Sequence, residues 1–328
     1  MRVLLALGGN AMTSPDGRAH PDDQIAAARA AMTEVAELVC QDVEVVITHG
    51  NGPQVGNILV KNELAAAVVP PVPLDWCGAQ TQGTLGFILM NALESALATR
   101  GSTQRAATVV TRTLVDSADP GFSHPTKPIG RYLPEAEAAL LIEHGETWED
   151  RGARGWRRVV ASPEPLEIID APAITALIAA GFVVVANGGG GIPVVRHDED
   201  GRLEGVEAVI DKDLGASLLG RAVGADVLVI ATDVPHADLY HGTPEATPIE
   251  RISVAGLRSL AGAGHFASGS MGPKVDAACR FVEKGGAYAV ITSLGQIAPA
   301  VSGSTGTVVV PEGAGPGADR LTSTGTGS

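Results

Sequence analysis

A chain of 328 residues and 33.4 kDa with 45% hydrophobic residues has ample material for a core, in one large domain or two smaller ones. A formal net charge of −14 and a pI near 4.9 repel polyanions, which disfavours nucleic acid or an acidic membrane as the main partner. A small anion needs only a local positive site.

Aromatics are only 3%, so Ala, Val, Leu and Ile must pack the core, and 41 glycines interrupt the apolar runs as tight turns. Cys40, Cys77 and Cys279 are spread out and lack metal-ligand spacing. They read as small buried hydrophobes in a reducing compartment. The apolar part of "MRVLLALGGN" is too short for a signal peptide, and no run of about 20 apolar residues follows. A soluble cytoplasmic protein is expected.

The chain opens with a strand, "VLLAL", that runs into "GGNAM". "PDDQIAAARAAMTEVAELVC" has helical spacing of apolar residues and an acidic first turn. The strand "VEVVI" leads into "THGNGPQVGN" and a helix-like "ILVKNELAAA". "TQGTLGFILMNALESALATR" predicts a long helix and "RAATVVTRTLV" a strand. From Asp116 to about Pro165, Pro, Gly and charge break the pattern, which predicts an inserted lid over about 116–165. Alternation resumes with the helix "APAITALIAAG", the strand "FVVVAN", the turn "GGGGIPVV", the helix "DKDLGASLLGRAVGA" and the strand "VLVIAT". The helix "GPKVDAACRFVEKGG" and the strands "YAVITS" and "GTVVV" follow. Such alternation predicts an α/β fold, a parallel sheet with helices on both faces. The small, polar segment 312–328 predicts a disordered tail.

In such sheets ligands sit beyond the carboxyl ends of the strands. "GGN" (Gly8, Gly9, Asn10), "HGNG" (His49, Gly50, Asn51, Gly52) and "NGGGG" (including Gly189 and Gly190) all fall there. Their backbone N–H groups at helix starts suit an anion, although each turn alone is equally a tight turn needing positive φ. Pro53 fits a first helical position, and His49 reads as structural. There is no G-x-x-x-x-G-K-[ST], so a P-loop enzyme is excluded, and the glycine spacing departs from a dinucleotide fingerprint. No HExxH or CxxC suggests a protein-bound transition metal.

Three lysines stand beside glycine, proline or aspartate: Lys127 in "HPTKPIG", Lys212 in "VIDKDLG" and Lys274 in "GSMGPKVD". An ammonium is a compact charge suited to neutralising a transferring phosphoryl group. At Lys212 the alternative is a helix capped by Asp211 with the lysine in water. Arg151, Arg154, Arg157 and Arg158 offer a phosphate contact as one reading, but beside Glu149 and Asp150 a solvated lid surface is the favoured one.

"LALGGNA", "THGNGPQVGN", "HPTKPIG", "ARGWRRVVASPEP", "GGGGIPV", "GVEAVIDKD" and "GHFASGSMGPKVDAA", in this order from Val3 to about Val310, resemble the carbamate kinases of the amino acid kinase family. The resemblance implies a three-layer αβα sandwich with an open, mainly parallel sheet and a small inserted lid subdomain, assembled as a homodimer. It implies one domain over 1–311, with a carbamate- and phosphoryl-binding part about 1–187 and a nucleotide-binding part about 188–311. It implies reversible phosphoryl transfer between ATP and carbamate, giving ADP and carbamoyl phosphate, typically run toward ATP in arginine catabolism.

By the same resemblance Lys127, Lys212, Lys274 and Asp211 are catalytic, the lysines on the phosphates and Asp211 orienting them. Gly8, Gly9, Asn10, Gly50, Asn51, Gly52, Gly189 and Gly190 hold the small substrate, and Asp233, Met271, Lys212 and Lys274 the nucleotide. Mg²⁺ accompanies ATP or ADP, held mainly by phosphates and water, with no protein metal site. His124, Trp76 with Gly78, and Pro235-His236 depart from the pattern and are expected on the substrate or nucleotide rims. A sibling kinase for another small carboxylate or phosphate acceptor, a non-catalytic carbamoyl-phosphate or nucleotide sensor, and a degenerate dinucleotide-binding oxidoreductase are the alternatives.

Overall fold

The computed structural model describes residues 1–9, 20–267 and 269–313. Asn10 and the segment 314–328 lie outside them. The first half of the chain forms β1 (Arg2–Leu7), α1 (Pro21–Cys40), β2 (Glu44–His49), α2 (Gly52–Ala65), α3 (Leu74–Ala98), β3 (Ala106–Thr108) and β4 (Arg112–Leu114). The middle forms α4 (Pro120–Ser123), β5 (Lys127–Leu133), α5 (Glu135–Glu143), β6 (Trp148–Asp150), β7 (Trp156–Val160) and β8 (Glu167–Ile168). Then come α6 (Ala171–Ala179), β9 (Val183–Val185), β10 (Ile192–Arg196), β11 (Leu203–Gly205), α7 (Lys212–Ala222) and β12 (Val227–Thr232). The chain closes with β13 (Ala237–Leu239), β14 (Thr247–Ile249), β15 (Arg251–Ser253), α8 (Val254–Gly262), α9 (Met271–Glu283), β16 (Tyr288–Ser293), α10 (Ile297–Val301) and β17 (Thr307–Val310).

The main sheet has the order β15-β17-β16-β12-β1-β2-β9-β3. From β16 to β3 every pairing is parallel, and β17 runs antiparallel to β16. The register of β1 shows why "VLLAL" is an unbroken apolar run. Val3, Leu5 and Leu7 point into one core layer with α1, α3 and α10, while Leu4 and Ala6 point into the other with α6, α7, α8 and α9. A strand buried on both faces has no polar side to show. This is the αβα sandwich the sequence predicts.

Three smaller sheets surround the main one. β4 leaves it to join β11-β10-β4-β8, and β13 pairs with β14. Residues 127–160 carry the antiparallel sheet β5-β7-β6. That sheet has its own core of Leu133, Ala138 and Trp148, and it docks on α2 and α3 where Ile129 and Val160 meet Val55, Leu59 and Cys77.

Two sequence expectations need correction. "RAATVVTRTLV" is not one strand: it breaks between β3 and β4, where Thr111 N donates to Gln82 Oε1 (2.8 Å). Cys40 is exposed at the end of α1, whereas Cys77 and Cys279 are buried, as read. Among the described residues no helix is long and apolar enough to cross a membrane.

Candidate active site

β1, β2, β9 and β12 end side by side at one edge of the main sheet. Gly8 N donates to Ala231 O (2.8 Å) and Gly50 N to Leu7 O (2.9 Å), so the two glycine turns continue the sheet by one residue before leaving it. Gly50 is glycine for a steric reason. A Cβ there would lie 2.7 Å from Gly9 N and 2.9 Å from Lys212 Cδ, so the turns and the lysine close on one point. Gly52 opens α2 with Pro53 in its first turn, and the cleft lies against that helix start.

The third turn follows β9. Asn187 takes a left-handed conformation (φ 56°), and the following glycines carry positive φ from Gly189 to Gly191. Polar side chains of neighbouring elements fix it: Thr48 Oγ1 donates to Asn187 O (3.0 Å), Thr113 Oγ1 to Gly190 O (3.0 Å) and Gln82 Nε2 to Gly188 O (3.0 Å). Asn51 Nδ2 donates to Thr81 Oγ1 (2.9 Å), and a Cβ on Gly189 would lie 2.2 Å from the same nitrogen. The loop is held from below by side chains, which leaves its upper surface bare backbone.

His49 is buried beneath these turns, with Nδ1 donating to Gly50 O (3.0 Å). Burial lowers its pKa to about 4, only partly offset by that hydrogen bond, so the ring is neutral near pH 7. It supports the turn and carries no charge into the cleft.

The cleft above has a volume of about 230 Å³, and the three sequence-predicted lysines all line it. Lys127, at the start of β5, donates to Asp211 Oδ2 (2.6 Å). Asp211 is the N-cap of α7, its Oδ1 accepting from Asp213 N (2.9 Å) and Leu214 N (3.4 Å). Lys212 Nζ donates to Asp213 Oδ1 (2.6 Å), and Lys274 Nζ, from the first turn of α9, to Asp213 Oδ2 (3.4 Å) and Ser270 O (3.2 Å). Lys212 is therefore not a lysine left in water at a capped helix start. Asp211 caps, and Lys212 reaches the cleft.

Asp213 was missed in the sequence, where it reads as the outer flank of "DKD". In the fold it is buried between two lysines. Burial pushes its carboxyl up, and the Lys212 and Lys274 charges outweigh that and hold it below the usual carboxylate range. Asp211 touches Lys127 only, so the two aspartates divide the three lysines between them.

Gly8, Gly9, Gly50, Asn51, Gly52 and Gly189 also line the cleft, as do Thr232 at the end of β12 and Ser270 before α9. Gly190 lies beneath it against Ile210, and neither Asp233 nor Met271 reaches its wall, though each adjoins a residue that does. Asp233 accepts from Thr232 Oγ1 (2.9 Å). Trp76, Gly78, His124, Pro235 and His236 stand away from the lining. Arg157 lines the cleft, which corrects its reading as solvated surface. Arg151 and Arg158 pair with Glu149 and Glu146, the Arg158 pair half-buried.

The arrangement can bind polyphosphate and a small anion and neutralise charge between them. Asp211 and Asp213, the carboxylates of the lining, are both engaged by lysines. Among the described residues no three His, Cys, Asp or Glu side chains converge as a metal cage.

The chain is similar to known proteins over nearly its whole length. The chain is 45% identical over 315 residues to a carbamate kinase of Thermococcus kodakarensis, covering 95% of this chain and 99% of that one. It is 43% identical over 313 residues to a carbamate kinase of Pyrococcus horikoshii, covering 94% and 99%. The carbamate kinase from Giardia lamblia bound to AMP-PNP superposes with a TM-score of 0.89 at 40% identity, covering 95% of this chain and 98% of that one. The sequence profile of the amino acid kinase family matches residues 1–293, which take in the glycine turns, the three lysines and both aspartates, and the chain belongs to that family.

Proposed function

We propose that the chain transfers a phosphoryl group reversibly between ATP and carbamate, with ADP and carbamoyl phosphate as the other pair, and runs toward ATP in arginine catabolism. The observation that carries this reading is the convergence of Lys127, Lys212 and Lys274 on a cleft floored by the bare backbone of three glycine turns. The similarity to carbamate kinases along nearly the whole length supports the acceptor.

Among the described residues of the cleft no carboxylate is free of a lysine to serve as general base, and carbamate needs none. It is already anionic and nucleophilic, so the enzyme's task reduces to in-line positioning and charge neutralisation. The backbone N–H groups of Gly8, Gly9 and Gly50–Gly52, at the start of α2, receive the small substrate and the group in transit. Lys212 and Lys274, held by Asp213, meet the nucleotide phosphates, with Thr232 of the cleft lining on the nucleotide side and Asp233 and Met271 just behind the wall. Lys127 reaches in from the small sheet of residues 127–160, which serves as a lid. Bound Mg²⁺ would shield the phosphate charge, carried mainly by phosphates and water. A cytoplasmic homodimer completes the proposal.

Coupled formation of ATP from ADP and carbamoyl phosphate, with Mg²⁺ present, tests the reading. Turnover is expected, with carbamate preferred over other small carboxylates when acceptors compete in ADP formation. No turnover above background overturns it.

A further inference from the structure

Each lysine of the cleft has a carboxylate against it, and one cation there does not. Arg157 lies on β7, in a sheet whose neighbouring acids are already engaged: Glu146 by Arg158 and Glu149 by Arg151. Among the described residues no carboxylate lies within ion-pair distance of Arg157. Its guanidinium rests 5.0 Å from the ring centroid of Tyr132, and Nη1 donates to Tyr132 Oη at 3.3 Å. Its Nε is buried and has no hydrogen-bond partner among the described residues. A buried, unpaired N–H on a charged group is costly, so its place in a residue of the cleft wall calls for a reason.

The backbone aims this side chain. Between Ile129 and Tyr132 the β5–β7 register shifts around Gly130 (φ 65°), so Tyr132 comes to stand opposite Arg157. The shift sets the Tyr132 ring against the guanidinium, and Arg157 lines the cleft together with Pro128 and Ile129. A guanidinium so fixed presents a planar fork that fits two oxygens of one oxyanion, which an ammonium does not.

We infer that Arg157 is the recognition residue for the oxyanion of the small substrate, carbamate or carbamoyl phosphate, and not for the nucleotide. The inference rests on the proposed reaction for the identity of that substrate. It divides the cleft's cations into two kinds. The lysines, each held by a carboxylate, meet charge that moves during transfer, whereas Arg157 selects the molecule that delivers or receives it.

The test compares Arg157→Ala, Arg157→Lys and Tyr132→Phe with the unaltered protein, by steady-state kinetics toward ATP and by calorimetric titration of carbamoyl phosphate and of ADP separately. Arg157→Ala is expected to raise KM for carbamoyl phosphate about 10- to 100-fold, leaving KM for ADP within about twofold. Arg157→Lys restores part of the loss, because the charge returns without the fork. Tyr132→Phe, which keeps the ring, stays near the unaltered protein. A rise in KM for ADP, or no change for carbamoyl phosphate, overturns the assignment. Should the unaltered protein fail to turn over, the reaction reading falls by itself. The titrations still decide Arg157: weaker carbamoyl phosphate binding in Arg157→Ala upholds it, and equal or absent binding overturns it.

Discussion

Lys212 and Asp213 are neighbours in sequence, yet they do opposite things in the cleft. The lysine supplies the charge, and the buried aspartate keeps it and Lys274 extended toward the same space. Lys212→Ala is expected to lower kcat by about 10²–10³-fold while the protein still unfolds cooperatively, read by the coupled assay and a thermal melt. A near-normal kcat would leave Lys212 as no more than the first residue of α7. His49 offers a residue-scale test of stability in place of rate. Its folded pKa of about 4 lies below the ordinary 6.5, so the unfolded chain binds the extra proton between those values. The His49 contribution is complete above pH 6.5 and is lost as pH falls toward 4, about 3 kcal/mol in all. Denaturant unfolding of the unaltered protein and His49→Gln across that window should show the variant losing less stability on acidification. Parallel curves would mean that the ring is not held neutral by the fold.

At the scale of elements, α7 shows how one residue joins a helix to the lid. Asp211 caps α7 through Oδ1 and holds Lys127 through Oδ2, so removing it mixes two effects. Asp211→Ser keeps a capping oxygen but is too short and uncharged to hold the lysine; Asp211→Ala loses both. The alanine variant is expected to be less stable than the serine variant by about 1 kcal/mol, with turnover reduced alike in the two. Equal stability would show that the cap contributes nothing. The elements also show what could be read in advance. α1, β12 and β16 match their sequence patterns because burial on both faces, or on one helical stripe, writes the period directly. The start of α3 at Leu74, seven residues before "TQGTLGF", was hidden because Gly78 and Gly83 weaken the helical signal. The break between β3 and β4 was hidden because Gln82, distant in sequence, imposes it. For the site, the glycines and lysines were visible as local motifs. Asp213 was not, and the sequence could not single Arg157 out from its neighbouring arginines, since the meaning of both depends on burial and on partners brought from other elements.

For the whole molecule, the charge distribution matters more than its sum. The chain carries a net −14, yet among the described residues its cleft gathers Lys127, Lys212, Lys274 and Arg157 against Asp211 and Asp213. The acidic exterior keeps polyanions away, and the cleft still presents a local positive field to a small phosphate ligand. Among the described residues both cleft carboxylates are held by lysines, so a divalent cation is expected to come in with the nucleotide. Two outcomes follow for chelation. EDTA should leave the melting temperature of the ligand-free protein unchanged while abolishing turnover in the coupled assay. ADP with Mg²⁺, at about 100 times its Kd, should stabilise the fold by about 2.7 kcal/mol, and EDTA should reduce that ligand-dependent shift. A ligand-free protein that melts earlier in EDTA would instead require a metal bound by the chain itself, and the division of labour between lysines and nucleotide-borne cation would have to be redrawn.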